Sequence, residues 1–357
     1  MRLRRLTARG FRNLADFERD LPPAGFVLLG ANAQGKTNLL EAIYYPVLYR
    51  SFRGAPDQEV ARFDGPGFLL DAGIEGGPAA SVGASWAAGG KRKRITIDGE
   101  DRTRVADAVG AWLAVSFLPE DVELATGPGA IRRGYLDRLL SLADPRYLRS
   151  LSRYRAALAQ RNSALRQARG ELARAFDLPL AAAGSELVAA RERWAGEAAG
   201  RFTAEFDGLG EGSGTRLSYR GCPALRDPSA WPAVLDEAWP RDQARGMTTV
   251  GPHRDDLLLE LGGRPLRQFG SNGQQRAAAV ALKLIELASL RAARGTEPAL
   301  LLDDVFAAFD GDRQRRLASR LLGDPDRQIF LTAPRPDELP PDLGLPVWRM
   351  DRGVVTG

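Results

Sequence analysis

The chain has 357 residues, 44% hydrophobic and 27% charged, with a formal charge of +5, an ordinary globular composition that excludes disordered, collagenous and purely coiled-coil chains. One cysteine, Cys222, and one histidine, His253, exclude a disulfide framework, a multi-cysteine zinc site and any mechanism needing two imidazoles. At this length a single core usually stops growing, so two domains or one domain with a large insertion is expected. Arginine outnumbers lysine 46 to 4, a bias that reads first as genome composition, and the small net charge permits nucleic-acid binding without demonstrating it. No stretch approaches 18 uncharged apolar residues and no apolar run follows the basic start, so a cytoplasmic chain without a membrane partner is expected.

In chain order, Phe26 to Leu29 reads as a short buried strand, followed by a glycine-rich turn and a helix from Asn38 to Tyr49. Residues 67 to 100 alternate in short pieces broken by Gly-Gly pairs, as a small antiparallel sheet would, with Arg94 to Asp98 entering a turn at Gly99. From about 130 the composition turns to Ala, Arg and Leu. Leu151, Leu158, Leu165 and Leu172 recur every seven residues, predicting a helix of about 30 residues, roughly 45 Å long, ended by Pro179. Ala183, Leu187, Ala190, Trp194, Ala198 and Phe202 continue at helical spacing, so the two segments should pack as an antiparallel hairpin. A loop-rich stretch leads to about 245, after which strands and helices alternate again. The expected organisation is an α/β domain in two parts, 1–120 and 246–357, interrupted by a helical arm over 121–245.

The strongest chemical signal is Gly30-Ala31-Asn32-Ala33-Gln34-Gly35-Lys36-Thr37, a full G-x-x-x-x-G-K-T between an apolar strand and a helix. In such a loop the glycines let backbone N–H groups face phosphates, Lys36 reaches the β and γ oxygens, and the Thr37 hydroxyl lies where Mg²⁺ binds. The second signal is an apolar strand, Ala299 to Leu302, ending in Asp303-Asp304. Asp303 is the candidate Mg²⁺ partner and Asp304 the candidate for orienting or deprotonating the attacking water. No Asn-Lys-x-Asp guanine motif occurs, so ATP is favoured over GTP. Ser271-Asn272-Gly273-Gln274 precedes a long helix some 30 residues before the Asp pair; taken alone, it reads equally as a helix cap.

In this order the motifs resemble those of ABC-type ATPases. There Ser271, Gly273 and Gln274 would form the signature that binds the γ-phosphate held by a second subunit. Ala307-Ala-Phe-Asp310 is similar to the D-loop, and Phe117-Leu-Pro119-Glu120 falls where the Q-loop leaves the sheet. Three stretches resemble the RecF family of bacterial DNA replication and repair proteins: Gly10-Phe-Arg12-Asn13-Leu14, Phe117 to Leu124 with Arg132-Arg-Gly-Tyr-Leu-Asp137, and Thr248-Thr-Val-Gly-Pro-His-Arg-Asp-Asp256. The resemblance implies an ABC-type head with a mixed sheet, an antiparallel sheet and an inserted helical arm. It further implies a nucleoid-associated protein that dimerises on ATP, binds gapped or junction DNA and, with RecR and RecO, helps load the RecA recombinase. Arg12 and Asn13 would touch the adenine side. The family pattern departs at two points, since most ABC ATPases have glutamate where Asp304 stands and many have histidine where Thr332 stands; both departures predict slow hydrolysis.

For DNA, the first arm helix carries Arg146, Arg149, Arg153, Arg155, Arg161, Arg166, Arg169 and Arg174 against one acid, Glu171, a net of +7 across 29 residues. A solvated helix face is the equal alternative, because phosphate contacts need no special spacing. Lys91-Arg92-Lys93-Arg94, at a hairpin tip, is the second candidate, suited to backbone contact more than base reading. His253 reads as a hydrogen-bonded residue beside a tight turn, with a catalytic role as the competing reading; Arg254 and its neighbouring acids are candidates for positioning the signature helix or the nucleotide. A different ABC- or SMC-type chromosomal ATPase is the nearest alternative function; a small-molecule P-loop kinase or a transporter ATPase subunit fits fewer motifs.

Overall fold

The computed structural model describes all residues except 91, 211, 213, 307–310 and 342. They form two compact units, Met1–Asp121 with Glu286–Gly357, and Val122–Ile285. The D-loop candidate Ala307 to Asp310 and the basic-tip residue Lys91 lie outside the described residues.

The first unit contains two six-stranded sheets. In one, β1 (Arg2–Arg9), β2 (Phe17–Asp20), β4 (Gly67–Glu75), β5 (Ser81–Ala87), β6 (Arg94–Ile97) and β7 (Glu100–Asp101) pair antiparallel in the order β2-β1-β4-β5-β6-β7. Its strands alternate between buried and exposed, as β4 does along most of its length, because only one face is covered. The other sheet contains β3 (Gly25–Leu29), β8 (Ala114–Phe117), β12 (Ala299–Asp303), β13 (Ile329–Ala333), β14 (Val347–Asp351) and β15 (Val354–Thr356). Its order is β15-β14-β3-β13-β12-β8, parallel throughout except for the terminal β14/β15 hairpin. Here β8, β12 and β13 are buried at every residue, which is why Leu300-Leu-Leu302 shows no alternation. The register sets Thr332 of β13 opposite Leu28 of β3 on one side and Asp303 of β12 on the other. The glycine-rich turn after β3 and the Asp pair after β12 therefore leave the same carboxyl edge of the sheet, the edge where ligands bind in such folds. The helix after the turn, α1 (Lys36–Leu48), begins two residues earlier than expected and carries Pro46 inside it; the short α2 (Asp57–Val60) follows.

The second unit is built on helices α3 (Glu123–Thr126), α4 (Gly129–Ala143), α5 (Pro145–Arg166), α6 (Gly170–Arg174), α7 (Asp177–Gly208) and α8 (Trp231–Arg245). The predicted 30-residue arm helix is instead α5, with 22 residues and a length of about 33 Å. It breaks at Ala168, which takes φ 54, and Leu172, predicted on the seam, is 45% exposed. Pro179 does not end a helix; it lies in the first turn of the 32-residue α7, where its missing N–H removes no intrahelical bond. α5 and α7 run antiparallel, since Ser150 pairs with Glu186 near one end and Arg161 with Asp177 near the other.

The stretch read as loop up to 245 contains β9 (Thr215–Arg220) and the 15-residue α8, whose Trp231 is fully buried and donates to Ser185 Oγ at 2.7 Å. The second compact unit continues past 245 to Ile285. β9 pairs with β10 (Asp256–Leu261), which also pairs with β11 (Arg264–Pro265), so the segment after 245 completes a sheet with residues before it. The unit ends through α9 (Leu266–Phe269) and most of α10 (Asn272–Arg294); α11 (Gly311–Leu322) belongs to the first unit. Among the described residues no helix is long and apolar enough to cross a membrane.

Candidate nucleotide site

Between β3 and α1 the loop coils through two left-handed positions, Ala33 at φ 65 and Gly35 at φ 114. The second is open to glycine at little strain, and a Cβ there would come 2.8 Å from Asn13 Oδ1. Such a turn directs successive amides into one concavity, the arrangement that binds anions. The Lys36 ammonium, only 5% exposed, donates to the carbonyls of Gly30 at 2.7 Å and Ala31 at 3.2 Å, drawing the start of the loop against its end.

The Thr37 hydroxyl donates to Asp303 Oδ2 at 2.7 Å, so the last residue of the loop motif and the first acid of the pair are in direct contact. Asp303 Oδ1 accepts from the Thr332 hydroxyl at 2.6 Å. The same hydroxyl lies 3.3 Å from Asp304 Oδ1 and accepts from the Asp304 N–H at 3.2 Å. The short Thr332 side chain thus ties both acids to β13. Asp304 is held at φ 50. Burial, then the adjacent Asp303 charge, pushes its carboxyl above the ordinary range, while Lys36 and Thr332 oppose the shift; such a group is a better proton acceptor than an exposed aspartate.

These residues fit ATP with Mg²⁺. A buried ammonium on the loop and a hydroxyl touching a carboxylate are the donor and acceptor types a triphosphate and its cation require. Among the described residues no cluster of three or more His, Cys, Asp or Glu could hold a metal by itself, so the protein's share of a Mg²⁺ shell would be Thr37 and Asp303.

Arg12 and Asn13, expected on the adenine side, also hold the protein around the loop. The Arg12 guanidinium makes two 2.9 Å bonds to the carboxylate of Glu41, which is fully buried, and a third to the Glu59 carbonyl at 2.7 Å. Glu41 also accepts from Ser51 and lies 3.5 Å from Arg53. Asn13 accepts from Asn38 at 2.7 Å and reaches the Gln34 carbonyl at 3.5 Å. Both residues brace the loop and the first turns of α1. Glu41 and Arg53 were missed because a lone acid within an apolar helix and a lone base after it carry no motif.

Ser271 caps α10. Its Oγ accepts from the Gln274 N–H at 3.2 Å and its own N–H donates to Gln274 Oε1 at 2.9 Å, a reciprocal capping box. The cap and signature readings are compatible, since the exposed Ser271 and Asn272 with half-buried Gly273 open a 23-residue helix whose N-terminus suits an anion.

The other two family stretches form a buried polar network in the second unit. Arg132 bonds both carboxylate oxygens of Asp256, at 2.8 and 2.9 Å, and the carbonyl of Gly127. Arg132 holds the Asp256 carboxyl below its usual range against the opposing pull of burial. Arg191 bonds Asp137 at 2.6 Å, the Pro252 carbonyl at 2.6 Å and Tyr147 at 2.9 Å. Arg133 donates to the Asp255 carbonyl at 2.8 Å, and Tyr219 donates to the Asp255 carboxylate. His253 accepts or donates between Tyr154 at 2.7 Å and the Thr248 carbonyl at 3.0 Å; as the carbonyl can only accept, Nε2 carries the proton and Nδ1 takes the Tyr154 hydroxyl. Burial lowers its pKa to about 4, helped by Arg254 and Arg133. The imidazole is therefore neutral and hydrogen-bonded at both nitrogens, and Arg254 reaches Met247 and the Thr248 carbonyl nearby.

The arginine candidates for DNA separate into two groups. Arg161 is fully buried among Asp177 at 2.8 Å, Asp242 at 2.7 Å and Thr248 at 2.8 Å, so it is a core residue and not a phosphate contact. Arg153 pairs with Glu186, Arg155 with Asp137 and Arg174 with Asp236, acids that come from other helices, and Arg146 pairs with Asp144, the N-cap of its own helix. Arg149, Arg166 and Arg169 are exposed and form no ion pair among the described residues, and Arg166 lies against Gly246 beside the equally exposed Arg245. At the hairpin, Lys93 turns inward to Tyr45 at 2.9 Å, the Tyr49 carbonyl at 2.6 Å and Asp57 at 2.9 Å. Arg94 pairs with Asp101 at 2.6 Å, while Arg92 is exposed.

No family model matches the chain. The DNA replication and repair protein RecF of Herpetosiphon aurantiacus, however, is 35% identical over 386 residues, covering 99% of both chains. The chain belongs to the RecF family. RecF of Anaeromyxobacter sp. strain K is 38% identical over 346 residues, spanning 93% of this chain and 92% of its own. Among solved structures, the recombination mediator RecF with ATP superimposes with a TM-score of 0.90 at 28% identity, covering 99% of this chain and 97% of that one. An Smc head bound to the C-terminal winged-helix domain of ScpA, 14% identical with a TM-score of 0.57, shares the fold. The architecture is thus that of RecF and SMC heads, a mixed parallel sheet and an antiparallel sheet with helices.

Proposed function

We propose that this RecF-family chain is a slow, Mg²⁺-dependent ATPase that binds DNA in recombinational repair and at replication forks, with ATP joining two copies. The observation that carries the reading is the contact chain Thr37, Asp303, Thr332, Asp304 beside the buried Lys36. Lys36 would counter phosphate charge, Thr37 and Asp303 would share Mg²⁺, and Asp304 would hold a water at its carboxylate and accept its proton. Bound Mg²⁺ would screen the phosphates and polarise the γ-phosphoryl group. Asp304 is one methylene shorter than glutamate and Thr332 cannot carry a proton as imidazole does, so water activation is weak and hydrolysis acts as a release timer.

The capped N-terminus of α10, with Ser271, Asn272, Gly273 and Gln274, is the surface we assign to the nucleotide of a second copy. For DNA we assign the unpaired arginines Arg149, Arg166, Arg169 and Arg245, with Arg92 as a second contact; guanidiniums without acid partners release counterions most freely. The related solved structure is described as a recombination mediator in the RecFOR pathway, which supports RecR and RecO as partners and RecA loading on gapped or junction DNA as the outcome.

The test is ATP turnover with Mg²⁺, with and without gapped duplex DNA, beside Asp303→Asn. The expected result is slow turnover, stimulated by DNA and lost in the variant. A turnover on the order of hundreds per second, or one unchanged by Asp303→Asn, contradicts the proposal.

A further inference from the structure

Gln34 is the last variable residue of the glycine-rich loop, and it is gripped from a part of the chain more than 300 residues away. Its side-chain Oε1 accepts from the Arg352 N–H at 2.7 Å, and its carbonyl accepts from the Gly353 N–H at 2.9 Å. Both donors lie in the turn between β14 and β15. That turn is shaped for the purpose, since Arg352 takes φ 46 and Gly353 φ 83, two successive left-handed residues that aim adjacent amides the same way. Gly353 has no room for a side chain, as a Cβ would stand 2.0 Å from the Asn13 carbonyl oxygen. Its own carbonyl accepts from the Ala15 N–H at 2.9 Å, which ties the turn to the segment that follows β1. β14 pairs parallel with β3, the strand that feeds the loop, through Trp348 opposite Leu28 and Arg349 opposite Leu29. The loop and the turn that grips it thus leave neighbouring strands at one edge.

We propose that the β14/β15 turn is a positioning clamp for nucleotide binding, in which the Arg352 and Gly353 amides hold Gln34 and thereby set the curvature of the loop from Gly30 to Thr37. The inference rests on the nucleotide reading above. The turn uses only acceptor atoms of Gln34, so it sets the position of the residue without competing for a phosphate, which binds to N–H donors. The physical logic is preorganisation: a loop free to sample other curvatures binds its anion only in the fraction of time it is correctly shaped, and the apparent affinity falls by that fraction. Asn13 extends the same clamp, through Asn38 at 2.7 Å and on to Arg53, which donates to Asn38 at 2.8 Å.

The experiment measures the Kd for a fluorescent ATP analogue with Mg²⁺, saturating turnover and the thermal midpoint without nucleotide, on the full chain and on Gln34→Met, Gly353→Ala and Lys36→Ala. Methionine keeps the length of glutamine and removes the acceptor. Gln34→Met is expected to weaken binding about five-fold, the size of one lost hydrogen bond. Gly353→Ala should weaken it about ten-fold or more, because it disturbs the whole turn. Turnover at saturating nucleotide should stay within about two-fold of the parent, a KM effect without a kcat effect that general destabilisation does not produce. If Gly353→Ala fails to fold, Gln34→Met still decides. Parent-like affinity in a folded Gln34→Met overturns the clamp alone, provided that the parent binds and Lys36→Ala does not. A parent chain that does not bind ATP overturns both the clamp and the nucleotide reading.

Discussion

The nucleotide site of the first unit and the arginine–carboxylate network of the second use the same residue types to opposite ends. Around the loop, the Lys36 ammonium rests on backbone carbonyls that a phosphate could displace, and the Thr37 and Thr332 hydroxyls link Asp303 and Asp304. In the second unit, Arg132, Arg161 and Arg191 are each held by two or more partners in the core, and Asp137 and Asp256 are each shared by two bases. Groups whose bonds can be exchanged for a ligand's are suited to chemistry. Charges paired in a dry interior fix a fold, because loss of one partner leaves the other buried in a low dielectric. Both regions carry family motifs, and only the partner geometry separates them.

The largest expected effect is at the first region: Lys36→Ala should abolish ATP binding, read by equilibrium titration, with no change in thermal midpoint. If the midpoint falls as well, the contrast between the regions fails. The opposite signature belongs to Asp137→Ala, which takes an acid partner from the buried Arg191 and should lower stability by about 3–5 kcal/mol in urea titrations, with the remaining folded protein binding ATP normally.

A smaller and pH-dependent effect comes from His253. Its folded pKa of about 4 lies below the ordinary 6.5, so the unfolded chain takes up the proton first. Its contribution is intact above about 6.5 and is lost as pH falls toward 4, by about 3 kcal/mol in all. Denaturation of His253→Gln across that window should lack this slope; an identical slope in both proteins rules out His253 as its source. The smallest effect sharpens the surface assignment: Arg149→Gln and Arg166→Gln should each reduce the salt dependence of DNA binding by about one unit of log–log slope, whereas Arg153→Gln, already paired with Glu186, should change it less.

What could be read in the sequence was local. The loop from Gly30 to Thr37 and the strand ending at Asp303 announce themselves by contiguous residues, and the parallel core by uninterrupted apolar runs. The arm helix was overextended because the leucine repeat continues from Leu165 to Leu172 with no proline between them, while the actual break lies in a left-handed Ala168. Helix α8 was hidden by Pro232 and Pro240, of which the first occupies a tolerated first-turn position. Arg161 looked like a surface cation because its acids, Asp177 and Asp242, lie 16 and 81 positions away. The grip of Arg352 and Gly353 on Gln34 spans more than 300 positions and uses backbone amides, for which no residue type is diagnostic.

The central claim is that the loop of one copy and the capped helix of another close on a shared ATP, and molecular mass in solution tests it most directly. Mass would be measured with and without ATP and Mg²⁺ for the parent and for Ser271→Arg. The account predicts that ATP doubles the mass of the parent and leaves the variant monomeric while it still binds nucleotide. A parent whose mass is unchanged by ATP, or a variant that dimerises as the parent does, would contradict it and reduce Ser271 to the helix cap it also forms.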